Sequence, residues 1–427
     1  MTVNKRTLSN GVTVLVDTVP TSRVFDIQIA VRAGSLHELI PGTAHFVEHM
    51  MFKGTDIYTE EQIRNNAKEI GADINASTDF TTTRYTGSCL VDYWKQLTQS
   101  ICHRLSSSTF DPDKVESERK VILSEIEMYL SDPIWVWHNS IVIGSFGDDT
   151  PVFPIIGTRD SVMSITPEDL RAYVRKNYTT ENIVVSIAGN VDLDEVCKLI
   201  TTELDDMMPY GESDAVIRVD VCHPRNVHLE DDRTDVMLML YVPHKSYIHP
   251  DYPAQRMLRL ILGHDGELFN ILRTQRGLCY SASAYPIWVD KRGICCITAG
   301  VQPENVCATI DAVFDTLVHV YKTVDSAMID HVLLSERKSD AFSEDSVRSR
   351  NSSTTDHYMN WGRVVSNDEA YNRLATVTPD DVRRAIREMY TQCPALGICG
   401  KDLSIPENYV ADKHSEILLP VITSTDQ

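Results

Sequence analysis

The chain has no stretch long and apolar enough to span a bilayer, and no apolar segment of a signal peptide follows Met1. A membrane span is therefore not expected. Positive charge is scarce: 40 Lys and Arg stand against 61 Asp and Glu, a net charge of −21 over 427 residues. Neutralising nucleic-acid phosphates needs a basic surface, so this balance argues against a nucleic-acid partner. The ten cysteines lack metal-finger or redox spacing. Cys295 and Cys296 sit in a strand-like run and point to opposite faces. Reduced thiols in a cytoplasmic protein are expected rather than a disulfide framework. There is no Gly-rich phosphate loop and no Gly-x-Ser-x-Gly elbow, which argues against P-loop and serine-hydrolase chemistry.

What the chain does contain is an internal repeat. Ile165-Thr166-Pro167-Glu168-Asp169-Leu170 recurs as Val377-Thr378-Pro379-Asp380-Asp381-Val382, 212 residues later, and Tyr178 and Tyr390 keep that separation. Each copy reaches an apolar run ending in Gly, at Gly189 and Gly400. A Thr-Pro-acid-acid start suits a helix N-terminus: Thr caps, Pro fits the first turn, and the acids meet the positive end of the dipole. A period near half the chain length implies two similar domains rather than a solenoid. The spans expected are 1–212 and 226–427, joined by a linker at 213–225. The acidic, Pro- and Gly-containing stretch Leu204 to Val219 includes Pro209 and Gly211.

Each half mixes strands and helices. Val24 to Ala33, Thr81 to Val91, Asp235 to Val242 and Gly277 to Tyr285 read as strands. Helical spacing begins after Asp92 with Trp94, Leu97, Ile101 and Leu105. It returns over Pro303 to Val324 and Ser326 to Glu344. Strand pairs followed by helix pairs predict two α+β domains of the same fold, each a largely antiparallel sheet packed with helices.

The chemistry centres on His45-Phe46-Val47-Glu48-His49. On a helix, residues three and four apart share a face, so His45 and His49 can offer two imidazole nitrogens to one metal. Glu48 lies on that face and is free to act as the base toward water at the open coordination position. The order His-x-x-Glu-His is the inverse of the common zincin motif. A catalytic zinc needs a third protein ligand. Lys114 to Ser131 reads as an acidic helix, with Glu116, Glu118, Glu125 and Glu127. At about 100° per residue, Glu118 and Glu125 share a stripe from which Glu116 and Glu127 turn away. The stripe predicts one metal ligand and one carboxylate orienting a histidine, without saying which is which.

The segment Gly42 to Thr55, around the inverted motif, resembles the insulinase/pitrilysin family of zinc metallopeptidases. So do Asn75-Ala76-Ser77-Thr78, Glu118 to Glu125, Pro154 to Thr158 and Leu272 to Tyr280. The resemblance is to the short two-domain type, similar to the mitochondrial processing peptidase beta subunit and to bacterial homodimeric peptidases. It implies one zinc per chain held by His45, His49 and Glu125, with Glu48 as general base and Glu118 as supporting acid. Arg273 and Tyr280 match a substrate-contacting pair, and Asn75 and Ala76 match an edge strand that pairs with substrate backbone. The expected partners are an extended peptide, with basic residues suggested by the acidic balance, and a second copy forming a clamshell homodimer. A processing-type subunit of a hetero-oligomer and a non-catalytic structural member are the alternatives. At Leu262-Gly263-His264-Asp265-Gly266 the chain departs from the family's Gly-rich stretch with Ser and Arg, so substrate contacts are not carried over there.

Overall fold

The computed structural model describes residues 3–146, 152–204, 222–263, 265–401 and 405–424. Two compact units emerge. The first comprises Met1–Met128, Phe153–Arg218 and Ser339–Asn367; the second comprises Tyr129–Val152, Val219–Lys338 and Asp368–Gln427.

The first unit is built on β1 (Val3–Thr7), β2 (Thr13–Thr18), β3 (Val24–Val31), β4 (Asp73–Thr78), β5 (Thr83–Leu90) and β6 (Ile183–Gly189). Their order is β1-β2-β6-β3-β5-β4. Every neighbouring pair is antiparallel except β2 and β6. The central strands β3 and β6 are rich in Val and Ile and buried almost throughout, as a strand covered on both faces requires. β4 forms the margin and alternates between exposed and half-buried side chains.

The second unit holds β7 (Val227–Glu230), β8 (Val236–His244), β9 (Cys279–Val289), β10 (Arg292–Val301) and β11 (Ala395–Gly400), ordered β7-β11-β8-β10-β9. Only β7 and β11 run parallel. Alternate residues of β8, Val236, Leu238, Leu240 and Val242, bury one face against Phe314, Leu317, Ile386 and Met389.

With β1 set aside, the two sheets have the same strand order and the same senses. The sequence repeat is thus a repeat of topology. Helix Pro167–Asn177 precedes β6 and helix Pro379–Tyr390 precedes β11. Both start with the same reciprocal cap. Thr166 Oγ1 accepts from Asp169 N at 3.2 Å, and Asp169 Oδ2 accepts from Thr166 N at 2.8 Å; Thr378 and Asp381 repeat this at 3.3 and 2.9 Å.

The units differ from the contiguous spans 1–212 and 226–427 because of where two helices pack. Helix Val347–Trp361 belongs to the first unit and lies on β3 and β6. Its buried Asn351 donates to Asp26 Oδ1 at 2.7 Å and accepts from Ser186 Oγ at 2.7 Å. Arg350 binds Asp17 through Nε at 2.7 Å and Nη2 at 3.0 Å. Helix Pro133–Phe146 in turn packs on β7 and β11 in the second unit, with Trp137 and Ile141 buried. A search by sequence offset cannot tell which sheet a helix covers. The linker expected at 213–225 lies, up to residue 221, outside the described residues. All ten cysteines are free, and no helix among the described residues is long and apolar enough to cross a membrane.

Candidate metal centre

Helix Thr43–Met50 carries His45, Glu48 and His49 and buries Ala44, Phe46, Val47 and Met50. Its first turn is tied down by Glu38, whose carboxylate accepts from Gly42 N and Ala44 N, each at 2.8 Å. Gly42 has φ 91°, and a Cβ there would lie 2.8 Å from the carbonyl oxygen of Ile156. Only glycine fits a left-handed position under that backbone. The histidine helix therefore starts at a fixed point and angle.

The second contributor is helix Pro112–Leu130. Its Glu125 Oε2 lies 3.9 Å from His45 Nε2 and 3.6 Å from His49 Nε2. One ligand atom from each of the three residues falls within 4.8 Å of the others. One helical turn pair upstream, Glu118 Oε1 is 2.8 Å from His49 Nδ1. That bond favours a proton on Nδ1 and leaves the Nε2 lone pair facing the shared point. Lys53 Nζ holds the other oxygen, Glu118 Oε2, at 2.7 Å. Burial works against the Glu118 carboxylate, but the hydrogen bonds with His49 and Lys53 outweigh it and hold its pKa below the usual range. Glu127 turns outward to Arg159 at 3.0 Å, and Glu116 turns to Arg119.

Burial, helped by neighbouring His49, pushes the His45 imidazole down to about 3. A neutral imidazole is the form that donates a lone pair to a metal. Burial raises the Glu48 carboxyl, against a hydrogen bond from Thr78 and the proximity of His49. Thr78 Oγ1 donates to Glu48 Oε2 at 2.5 Å. Two nitrogens and one carboxylate converge, with a buried carboxylate on the back of one histidine. This donor set fits zinc in a three-protein-ligand site with an open position.

Asn75 and Ala76 lie on β4, which among the described residues pairs with β5 alone. Arg273 and Tyr280 belong to the second unit and are engaged there. Arg273 stands in a π-helical turn, Phe269–Gln275, with its guanidinium 4.7 Å from the centre of the Phe269 ring. Tyr280 is the extra residue of a bulge: Ser281 pairs with Gly300 and Cys279 with Val301. Bulges re-aim side chains. Here the ring is laid over Gly300, where a Cβ would come within 2.3 Å of it. The Tyr280 hydroxyl donates to Asp235 Oδ2 at 2.7 Å, which, with some burial, pushes its pKa up to about 12. His264 lies outside the described residues.

The sequence alone points to no role for Glu38 or Lys53, and to Thr78 only as the end of the segment Asn75-Ala76-Ser77-Thr78. Lys53, four residues after His49, could have been found by extending the helical stripe; Glu38 acts locally on the amides of Gly42 and Ala44, and Thr78 reaches Glu48 across a fold of the chain, neither with a periodic signal.

Residues 13–142 match the family model described as insulinase, peptidase family M16, and residues 164–333 match that described as peptidase M16 inactive domain. His45, Glu48, His49, Glu118 and Glu125 all fall within the first match. An uncharacterized zinc protease of Bacillus subtilis is 25% identical over 95% of this chain and 100% of its own length. One of Streptomyces coelicolor is 28% identical over 93% of this chain and 90% of its own. The crystal structure of a peptidase M16 inactive domain from Pseudomonas fluorescens has a TM-score of 0.84 at 19% identity, covering 94% of this chain and 98% of that one. The structure of a protease from Helicobacter pylori has a TM-score of 0.83 at 19% identity, covering 93% and 99%. At that identity the structural likeness concerns the fold.

Proposed function

The chain belongs to the insulinase family, peptidase family M16, in its short two-domain form, and from that premise we propose that it is a zinc-dependent endopeptidase cutting extended peptides. The observation that carries this reading is the convergence of His45, His49 and Glu125 beside a base, Glu48, that is not itself a ligand. Bound to those three side chains, one zinc per chain would supply a Lewis acid that makes water nucleophilic near neutral pH.

The chain's own residues do the rest. Thr78 occupies Glu48 Oε2, which leaves Oε1 to take the proton as water attacks the peptide carbonyl. The same carboxyl returns that proton to the leaving amine. Glu118 orients His49 and Lys53 orients Glu118. The open side of β4, at Asn75 and Ala76, can take a peptide backbone as an added strand. Substrates are then cut in extended form, and stably folded proteins resist.

Two copies are proposed to form a homodimer in which Arg273 and Tyr280 of one serve the active site of the other, as a cation and a hydroxyl donor near the developing oxyanion. A cytoplasmic location is proposed on the ten free thiols. The inactive-domain match does not favour a non-catalytic role, because its residues 164–333 exclude the whole cluster.

The test is Glu48→Gln. It is expected to keep zinc and lose nearly all cleavage of a mixed peptide library mapped by mass spectrometry. Near wild-type cutting by that variant removes Glu48 from the mechanism.

A further inference from the structure

A pocket of about 360 Å³ opens beside the metal cluster, lined from helix Glu60–Glu69, helix Trp94–Ser107 and the start of β4. Phe52, Ile63 and Ile74 give it an apolar lining. Its charge is positive, with Lys53, Arg64, Lys68 and Arg104 against a single acid, Glu60. Glu60 is already shared between Lys53 at 3.2 Å and Lys114 at 2.8 Å, and Lys53 also meets Glu118. Arg64, Lys68 and Arg104 have no carboxylate partner among the described residues.

Arg104 makes the pocket more than a basic surface. It is 4% exposed. Its Nη2 donates to Ser100 Oγ at 3.1 Å, its guanidinium lies 5.2 Å from the centre of the Phe52 ring, and its Nε has no hydrogen-bond partner. Burial lowers its pKa to about 10. A buried cation without a counter-ion is costly to a fold, and a methionine would fill the same volume without that cost. An anion placed in the pocket would remove that cost, and none of the described residues supplies one.

The pocket is linked to the cluster through Lys53 and through β4. Lys53 lines it and contacts Glu118, which contacts His49. Ile74 shares a face of β4 with Thr78, four residues or roughly 13 Å along the strand, and Thr78 holds Glu48. A peptide added at the edge of β4 presents alternate side chains to this face.

We propose that this pocket is a specificity subsite that takes the carboxylate of an acidic side chain of the bound peptide, and it rests on the peptidase reading above. The side chain's stem packs on Phe52 and Ile74, its carboxylate meets Arg104, and Arg64 and Lys68 draw it in. The sign is opposite to that of the chain as a whole, whose net charge of −21 favours basic peptides in general. The pocket therefore selects at one position rather than along the whole substrate.

The experiment uses quenched fluorescent peptides that carry Glu or Gln at successive positions around a mapped cut, with zinc-loaded protein. At one position Glu is expected to exceed Gln by roughly tenfold in kcat/KM, because a buried charged donor left unpaired rejects the neutral analogue. Arg104→Met, and separately the exposed double change Arg64→Gln with Lys68→Gln, should bring that ratio toward one. Arg175→Gln, which removes a surface ion pair with Glu168, should leave it unchanged. Cleavage with no Glu preference at any position, or a preference that survives both changes, overturns the subsite while leaving the peptidase reading intact. Inhibition by free glutamate without a Glu preference in peptides assigns the pocket to a free anion and also overturns it. If no peptide is cut, the peptidase reading fails, and fluorescence anisotropy decides the pocket alone. Tighter binding of the Glu peptide that is lost in Arg104→Met supports it, and equal binding of the Glu and Gln peptides overturns it.

Discussion

Thr78 donates to Glu48 Oε2 across 2.5 Å, so the last residue of an edge strand holds the carboxylate of the helix that carries both histidines. The strand proposed to receive the substrate and the base proposed to act on it are thus joined by one hydrogen bond. Thr78→Val keeps the shape and removes the donor. We expect kcat to fall by roughly ten- to a hundredfold, part of what a positioned general base contributes, with zinc content unchanged and KM little altered. Thr78→Ser should recover most of the loss. A Val variant with wild-type kcat would mean that Thr78 does not position the base.

Zinc content separates three acids of helix Pro112–Leu130, Glu118, Glu125 and Glu127. Glu125→Gln removes the carboxylate that faces both histidines and should abolish stoichiometric zinc binding. Glu118→Gln leaves the three ligands but weakens the hold on His49, for an expected loss of roughly 10–100-fold in affinity. Glu127→Gln touches only a surface ion pair with Arg159 and should bind zinc as the wild type does. Elemental analysis after dialysis against graded chelator reads all three. Equal zinc retention by the Glu125 and Glu127 variants would contradict the arrangement.

These residues also show what a sequence can and cannot disclose. Spacing alone brought His45, Glu48 and His49 to one helix face and set Glu118 and Glu125 apart from Glu116 and Glu127, because helical geometry is local. It left open which acid faces the metal; that depends on how two helices 69 residues apart meet, as His49 and Glu118 do. The repeat at Thr166 and Thr378 foretold two sheets of one topology. It did not foretell that helix Val347–Trp361 covers the first of them. That contact is carried largely by polar residues such as Arg350 and Asn351, with Tyr358 packed on Leu15, Ala30 and Val184, which is too little to show as an apolar stripe. Arg104 was hidden for a similar reason: within a helix it reads as a surface cation, and only the fold buries it.

The polar seam under that helix should leave a pH signature. Asp26 is 2% exposed. Burial pushes its carboxyl from 3.8 up to about 6, against the Asn351 hydrogen bond and the Arg348 charge. An acid whose folded pKa lies above its unfolded one binds its proton more tightly when folded. Its contribution to stability is therefore fully present below the unfolded value and is lost as pH rises through the folded one. Asp26→Asn cannot ionise and escapes that loss. The melting temperature of the variant minus that of the wild type should rise by a few degrees between about pH 4 and 7, then level off. A difference that stays flat over this range would show that Asp26 does not carry a raised pKa.

Assembly is the remaining question, and Arg273 and Tyr280 pose it. Both lie in the second unit, where Tyr280 is 52% exposed and anchored through its hydroxyl to Asp235. The homodimer proposal sends them to the active site of the partner copy. Glu48→Gln and Arg273→Ala, each nearly inactive alone, test this when mixed under conditions that let subunits exchange. With shared sites, a mixed dimer has one doubly damaged site and one intact site. Random exchange of equal amounts makes half the dimers mixed, so activity should return to roughly a quarter of wild type under two-fold symmetry. With self-contained sites, every site stays damaged and nothing returns. Exchange must be shown independently, for example by energy transfer between differently labelled copies. Exchange without recovered activity would refute sharing and leave Arg273 acting within its own chain.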